Sequence, residues 1–162
     1  GQSRIRLWRA HPARLHAGPE GHPLVTQPAL KSARSEAPDA IAPDGAEIRV
    51  LLDRPQGATR LSLAEARVKP GERTACVSHK TIEEVWFIVR GAGRFHRLTP
   101  DGGEEEAAEV APGDALLIPT GYRFWVENTG LDDLVFLCCG TPPWPGPNEA
   151  VVWGEGPPAP HT

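Results

Sequence analysis

Two polar side chains stand out because their neighbours are apolar and their spacing can bring them together. His79 closes the run Thr74-Ala75-Cys76-Val77-Ser78-His79, and Glu84 opens the run Glu84-Val85-Trp86-Phe87-Ile88-Val89. Successive side chains of a strand face opposite ways, so Val77 and His79 share one face, and Glu84, Trp86 and Ile88 share one face of the next run. If both faces turn to one interior, an imidazole and a carboxylate meet across a pocket with Val77 and Trp86 in its walls. Such a pair can bind a polar ligand or act as general acid and base. It can also begin a metal site. A catalytic divalent ion, however, normally has three protein ligands, or two His and a carboxylate in the non-haem iron case. One His with one Glu falls short of both.

Other residues could complete or border the pocket. Cys138 and Cys139 lie on one apolar run, so one of them points inward. There it either ligates a soft or borderline metal or packs as a small hydrophobe. Cys76 has the opposite parity to His79 and is expected to face away. Arg123 is either a solvated residue at a strand start or, if a bulge turns it inward, a clamp for a carboxylate or phosphate. Phe124 beside it supplies an apolar wall. Trp86 is expected to line the pocket, and Trp125 to face outward toward a partner or the N-terminal arm. His96 reads as a surface histidine beside an inward Phe95, and Glu104 to Glu106 as a solvated hairpin loop. His11, His16 and His22 read as loop residues, with ligand use as the alternative.

The elements that must hold these residues are short. The chain has 18 Pro and 17 Gly among 162 residues, about a fifth of its length and well above ordinary usage. That argues against an all-helical protein. From Ala46 onward, apolar runs recur about every 8–12 residues between Gly, Pro or Asp, the pattern of a sandwich or barrel. The runs are Glu47 to Leu52, Thr59 to Val68, Thr74 to His79, Glu84 to Val89, Gly93 to Leu98, Ala107 to Val110, Ala115 to Pro119, Arg123 to Asn128, Leu134 to Cys139 and Ala150 to Trp153. Strands without a convincing amphipathic helix predict an all-β, two-sheet jelly roll.

Residues 1–40 form an irregular arm, with a short strand at Arg4 to Ala10 and at most one short helix around Pro28 to Ser35. The barrel spans 41–154 and a tail 155–162. Seventeen Lys and Arg against 21 Asp and Glu give a net charge of −4 without a basic stripe, which argues against a nucleic-acid partner. The longest apolar runs fall far short of the roughly 18–20 residues a membrane helix needs, so no membrane partner is expected either. Three cysteines cannot all pair within the chain, which favours a reducing, cytoplasmic setting.

The segments Pro70-Gly71-Glu72-Arg73-Thr74-Ala75-Cys76-Val77-Ser78-His79-Lys80-Thr81-Ile82-Glu83-Glu84-Val85-Trp86-Phe87-Ile88-Val89-Arg90-Gly91 and Gly113-Asp114-Ala115-Leu116-Leu117-Ile118-Pro119-Thr120-Gly121-Tyr122-Arg123-Phe124-Trp125-Val126-Glu127-Asn128 resemble the two signature segments of the cupin superfamily. The first signature runs Gly, five residues, His-x-His, three or four residues, Glu, six residues, Gly. The second runs Gly, five residues, Pro-x-Gly, two residues, His, three residues, Asn. Gly71, His79, Glu84, Gly91, Gly113, Pro119, Gly121 and Asn128 all stand in frame.

The resemblance implies a conical barrel, or double-stranded β-helix, with a pocket between its sheets. In most members it also implies a divalent metal held by three His and one Glu. Here the first His position is Val77 and the third is Phe124, so only His79 and Glu84 remain. The cofactor is accordingly either none or a divalent metal ion completed by a Cys, an arm His or water. The resemblance further implies a homodimer, with Arg4 to Trp8 as a strand for exchange.

The leading expectation is a barrel that binds a small organic molecule, with Val77, His79, Glu84, Trp86, Arg123, Phe124 and Cys138 around its pocket. The alternative is a metal-dependent oxygenase, isomerase or decarboxylase built on His79 and Glu84. A third reading is an interaction role carried by the arm and Trp125. The fold alone selects no substrate, because function lives in sites grafted on folds.

Overall fold

The computed structural model describes residues 27–155, and among them the chain forms eleven strands. These are β1 (Ala40–Ile41), β2 (Glu47–Leu52), β3 (Ser62–Val68), β4 (Ala75–His79), β5 (Glu83–Arg90), β6 (Gly93–Leu98), β7 (Glu105–Val110), β8 (Ala115–Ile118), β9 (Arg123–Asn128), β10 (Leu134–Thr141) and β11 (Ala150–Glu155). One antiparallel sheet has the order β1-β2-β3-β10-β5-β8, and the other β11-β4-β9-β6-β7. The two sheets face each other in a jelly roll, with the apolar core between them. No helix among the described residues is long and apolar enough to cross a membrane.

Sequence alternation explains which face is which. Along β5, Glu84, Trp86 and Ile88 are buried while Val85, Phe87 and Val89 are exposed. Trp86 stacks on Phe136 of β10 at 4.1 Å between ring centroids. It meets Phe95 of β6 and Phe124 of β9 edge-on at 5.3 and 5.6 Å. One indole therefore bridges the two sheets, in the offset and edge-to-face arrangements that aromatic quadrupoles favour. On the opposite face, half-exposed Val85, Phe87 and Val89 share the outer surface with Leu117 of edge strand β8.

The frame residues of the signatures do conformational work. Gly91 has φ +88°, and a Cβ there would lie 2.4 Å from the Asp133 carbonyl oxygen. Only glycine fits both the left-handed backbone and that approach. Asn128 donates from Nδ2 to the carbonyls of Val68 (2.9 Å) and Asp132 (2.8 Å), and its Oδ1 accepts from Gly130 N (2.9 Å). It ties the β9–β10 turn to the end of β3.

Several expectations need correction. Residues 28–35 contain no helix; the described part of the arm runs as coil into β1, a two-residue strand the sequence reading lacked. The run from Thr59 becomes a strand only at Ser62, after a 3₁₀ turn at Arg54–Gln56 capped by Asp53. Glu105 and Glu106 lie in β7, where cross-strand pairing with Leu98 and Arg97 overrides their polarity. Trp125 is 1% exposed, because His96 stacks flat on it at 4.5 Å. His96 is itself buried, held between Glu105 Oε1 and Glu127 Oε2 at 2.8 Å each. The Arg4 to Ala10 strand lies outside the described residues.

Candidate functional site

His79 ends β4 and Glu84 lies near the start of β5, so the connection Lys80–Ile82 sets their relative position. A buried carboxylate fixes that connection. Glu149, just before β11, accepts from Thr81 N (2.7 Å), Ile82 N (2.8 Å) and the Thr81 hydroxyl. A second tie comes from Gly121 N, which donates to the His79 carbonyl at 3.0 Å. It holds the Pro119–Gly121 turn against the end of β4, and β9 then places Phe124 directly opposite Val77 in register.

These elements enclose a cavity in which about 80 Å³ is open to the centre of a water molecule. That is room for roughly five to eight waters, or an organic molecule of about as many non-hydrogen atoms. Val77, Ile48, Ile82, Trp86, Phe124, Phe136 and Trp144 supply most of its walls, and Asp44, Ser62, His79, Glu84 and Cys138 its polar side chains. Half-buried lining residues from the β1–β2 loop (Ala42, Pro43 and Asp44) and from around the start of β11 (Trp144 and Ala150) join those on the strands.

The central pair is close but not hydrogen-bonded. His79 Nδ1 lies 3.6 Å from Glu84 Oε2 and has no hydrogen-bond partner. The imidazole sits edge-on between Phe124 at 5.2 Å and Trp144 at 5.5 Å. Glu84 Oε1 accepts from the Trp86 indole N–H, and the Cys138 thiol also donates to this carboxyl.

Burial sets the charge states. It lowers His79 to about 4, against a small opposing pull from Glu149. It raises Glu84 to about 7, partly offset by the Trp86 hydrogen bond and reinforced by nearby Asp44. Asp44 itself is raised to about 6 by the same desolvation, and the Cys138 thiol is pushed well up by burial and by Glu84. A low-dielectric wall disfavours each charged form. At neutral pH the site therefore presents a neutral imidazole, a neutral thiol and a Glu84 carboxyl near its midpoint.

Six of the seven pocket residues read from the sequence line this cavity: Val77, His79, Glu84, Trp86, Phe124 and Cys138. Arg123 does not. No bulge turns it inward; its guanidinium lies 3.6 Å over the Trp153 ring and donates to the Pro100 carbonyl on the outside of the sheet. Cys76 is buried but away from the cavity, and all three thiols are free. Asp44 and Trp144 were missed as lining residues, and Glu149 as the clamp. Both lining residues sit in irregular segments where alternation gives no facing. The only local signal for Asp44 is its place before Gly45 in a turn.

Comparison with known proteins agrees with this architecture. The cupin domain family matches residues 64–140. An uncharacterized protein of Methanocaldococcus jannaschii, MJ1618, is 34% identical over 122 residues, covering 75% of this chain and 93% of that protein. The chain belongs to the cupin superfamily. A second relative of this cupin, an oxalate-binding protein of Thermotoga maritima, is 31% identical over 74 residues, which is 46% of this chain and 56% of that one. Among solved structures, the capsular polysaccharide assembling protein CapF of Staphylococcus aureus superposes with a TM-score of 0.61 at 19% identity, covering 77% of this chain. Oxalate decarboxylase of Lactobacillus farciminis superposes with 0.60 at 18%, covering 75%. This cupin spans about a third of each of those two chains, 34% and 33% respectively. At such identities the likeness speaks for the fold.

Among the described residues, the donor set of this cupin does not fit the usual metal. Val77 and Phe124 place carbon where two of the imidazoles would be, and Phe124 packs its ring against His79. Among the described residues no group of three or more His, Cys, Asp and Glu side chains is placed to hold an ion. A catalytic zinc-type site normally has at least three such ligands.

Proposed function

We propose that this cupin is a binding module that holds a small organic molecule in its barrel through contacts of the protein alone. The observation that carries the reading is the replacement pair Val77 and Phe124. It turns two donor positions into apolar wall inside a cavity already faced by Trp86, Phe136 and Trp144. A concave, mostly apolar space with a few convergent polar groups of shifted acidity is the usual form of a small-molecule site. Here His79, Glu84, Asp44 and Cys138 are those groups.

Oxalate, the ligand in the name of the Thermotoga relative, suits this cavity poorly. A dianion would meet the Asp44 and Glu84 carboxyls, and no Lys or Arg is among the lining residues. Burial of an unpaired charge is strongly unfavourable.

Two measurements test the proposal. Metal analysis of protein purified without chelator or nickel resin is expected to show no stoichiometric ion; a bound ion that disappears in His79→Ala would overturn the metal-free reading. A thermal-shift screen of small organic molecules is expected to yield ligands whose retention changes in Phe124→Ala and in Glu84→Gln. Hits insensitive to both substitutions would show that the cavity is not the working part.

A further inference from the structure

The cavity is acidic and lacks a built-in counter-charge. Asp44 and Glu84 both line it, and the field of Asp44 reaches Glu84, while no Lys or Arg is among the lining residues. The one basic lining group is His79, which is 7% exposed, and its Nδ1 has no hydrogen bond. We propose that the cavity selects a small organic amine, its ammonium seated among Asp44, Glu84 and His79 and its carbon body against Trp86, Phe124 and Phe136. This rests on the reading that the cavity binds a small organic molecule, and adds the ligand's charge.

The chemistry of the groups matches. A primary ammonium carries three N–H donors and no acceptor. The cavity offers acceptors to match: Asp44, whose Oδ1 also accepts from Ala46 N at 3.0 Å, Glu84 Oε2, which lies on the His79 side, and His79 Nδ1 in the tautomer protonated on the other ring nitrogen. Glu84 Oε1 accepts from the Trp86 indole and the carboxyl also accepts from the Cys138 thiol, which together fix its orientation with Oε2 toward His79. An ammonium between two acidic groups supplies the counter-charge that the lining residues lack. Trp86, Phe124, Phe136 and Trp144 add aromatic surface around it, and a cation near such rings is attracted by their quadrupoles. A carboxylate ligand would gain none of these terms and would be repelled by both acids.

Isothermal titration calorimetry on the full chain at neutral pH, with benzylamine, benzyl alcohol and benzoate, separates charge from size. Benzylamine is expected to bind about tenfold more tightly than benzyl alcohol, and benzoate most weakly. In Asp44→Asn and in Glu84→Gln the advantage of the amine is expected to shrink to about threefold or less, with benzyl alcohol little changed. Ala64→Leu, which fills the cavity from β3, is expected to weaken all probes. If benzyl alcohol or benzoate equals or exceeds benzylamine and Ala64→Leu weakens it, the amine class is wrong and the pocket reading stands. If the amine advantage survives both acid substitutions, the proposal is overturned in favour of surface association. If none of the three probes binds, both readings fall.

Discussion

Replacing Glu84 with Gln tests the electrostatics of the site directly. The folded protein holds Glu84 at about 7, against an ordinary value of 4.5. Because the folded value lies above the unfolded one, the native state binds the extra proton between those limits. Stability from this group is therefore complete below about pH 4.5 and is lost as pH rises through about 7. The gap corresponds to about 3 kcal/mol. Gln keeps the oxygen that accepts from Trp86 and cannot ionise, so Glu84→Gln is expected to be near neutral at pH 4 and relatively stabilising by about 3 kcal/mol at pH 9, or about 10 °C in Tm. Urea denaturation of both proteins across that range measures it. His79, lowered from 6.5 to about 4, gives the opposite slope: it loses stability as pH falls through that interval. It is present in both proteins and largely cancels in the difference. Parallel pH profiles for wild type and variant would refute the argument, because Glu84 would then ionise in its cavity as readily as in water.

Further substitutions probe the frame and the erased donors. Val77→His with Phe124→His, side by side in register, is expected to give the barrel a full set of three imidazoles and one carboxylate; the expected result is uptake of one divalent ion per chain by the variant and none by wild type, read by metal analysis after dialysis. Gly91→Ala is expected to destabilise by more than about 2 kcal/mol, since its Cβ would meet Asp133 O, whereas Gly113→Ala, with φ +94° and open space, is expected to cost about 1 kcal/mol in the same denaturant titration. Glu149→Ala leaves the Thr81 and Ile82 amides without their carboxylate and is expected to cost about 2–4 kcal/mol, with hydrogen exchange rising first at those two amides.

Alternation and turn spacing were enough to place the barrel and most of its cavity. The parity of Val77 with His79, and of Glu84 with Trp86, survives in the structure because both strands pack one face on a single core. Turn positions were legible for a similar reason: at Gly91 a specific backbone shape permits one residue type. The failures are tertiary. Trp125 sits on the outward parity, as read, and is covered all the same, because His96 on the neighbouring strand lies flat over it under two carboxylates. Asp44 and Trp144 reach the cavity from loops, whose facing no periodicity encodes. Arg123 follows simple alternation, and Trp153 on β11 gave it an aromatic partner outside the barrel that no local pattern reveals.

The fate of the carboxylate links the two apolar replacements to the chemistry left behind. In a barrel with a bound cation, a carboxyl at position 84 has a permanent counter-charge and stays ionised. With Val77 and Phe124 in place of donors, that counter-charge has no seat, and burial pushes Glu84 up to about 7 and holds His79 down at about 4. The pair then faces itself across 3.6 Å as a neutral imidazole and a carboxyl near its midpoint. In the proposed complex, a positive charge arriving with the ligand would take the electrostatic place of a bound cation. If the cavity takes an organic amine as proposed, Val77 and Phe124 change what the site recognises, from an ion that brings its own chemistry to a molecule that brings its own charge.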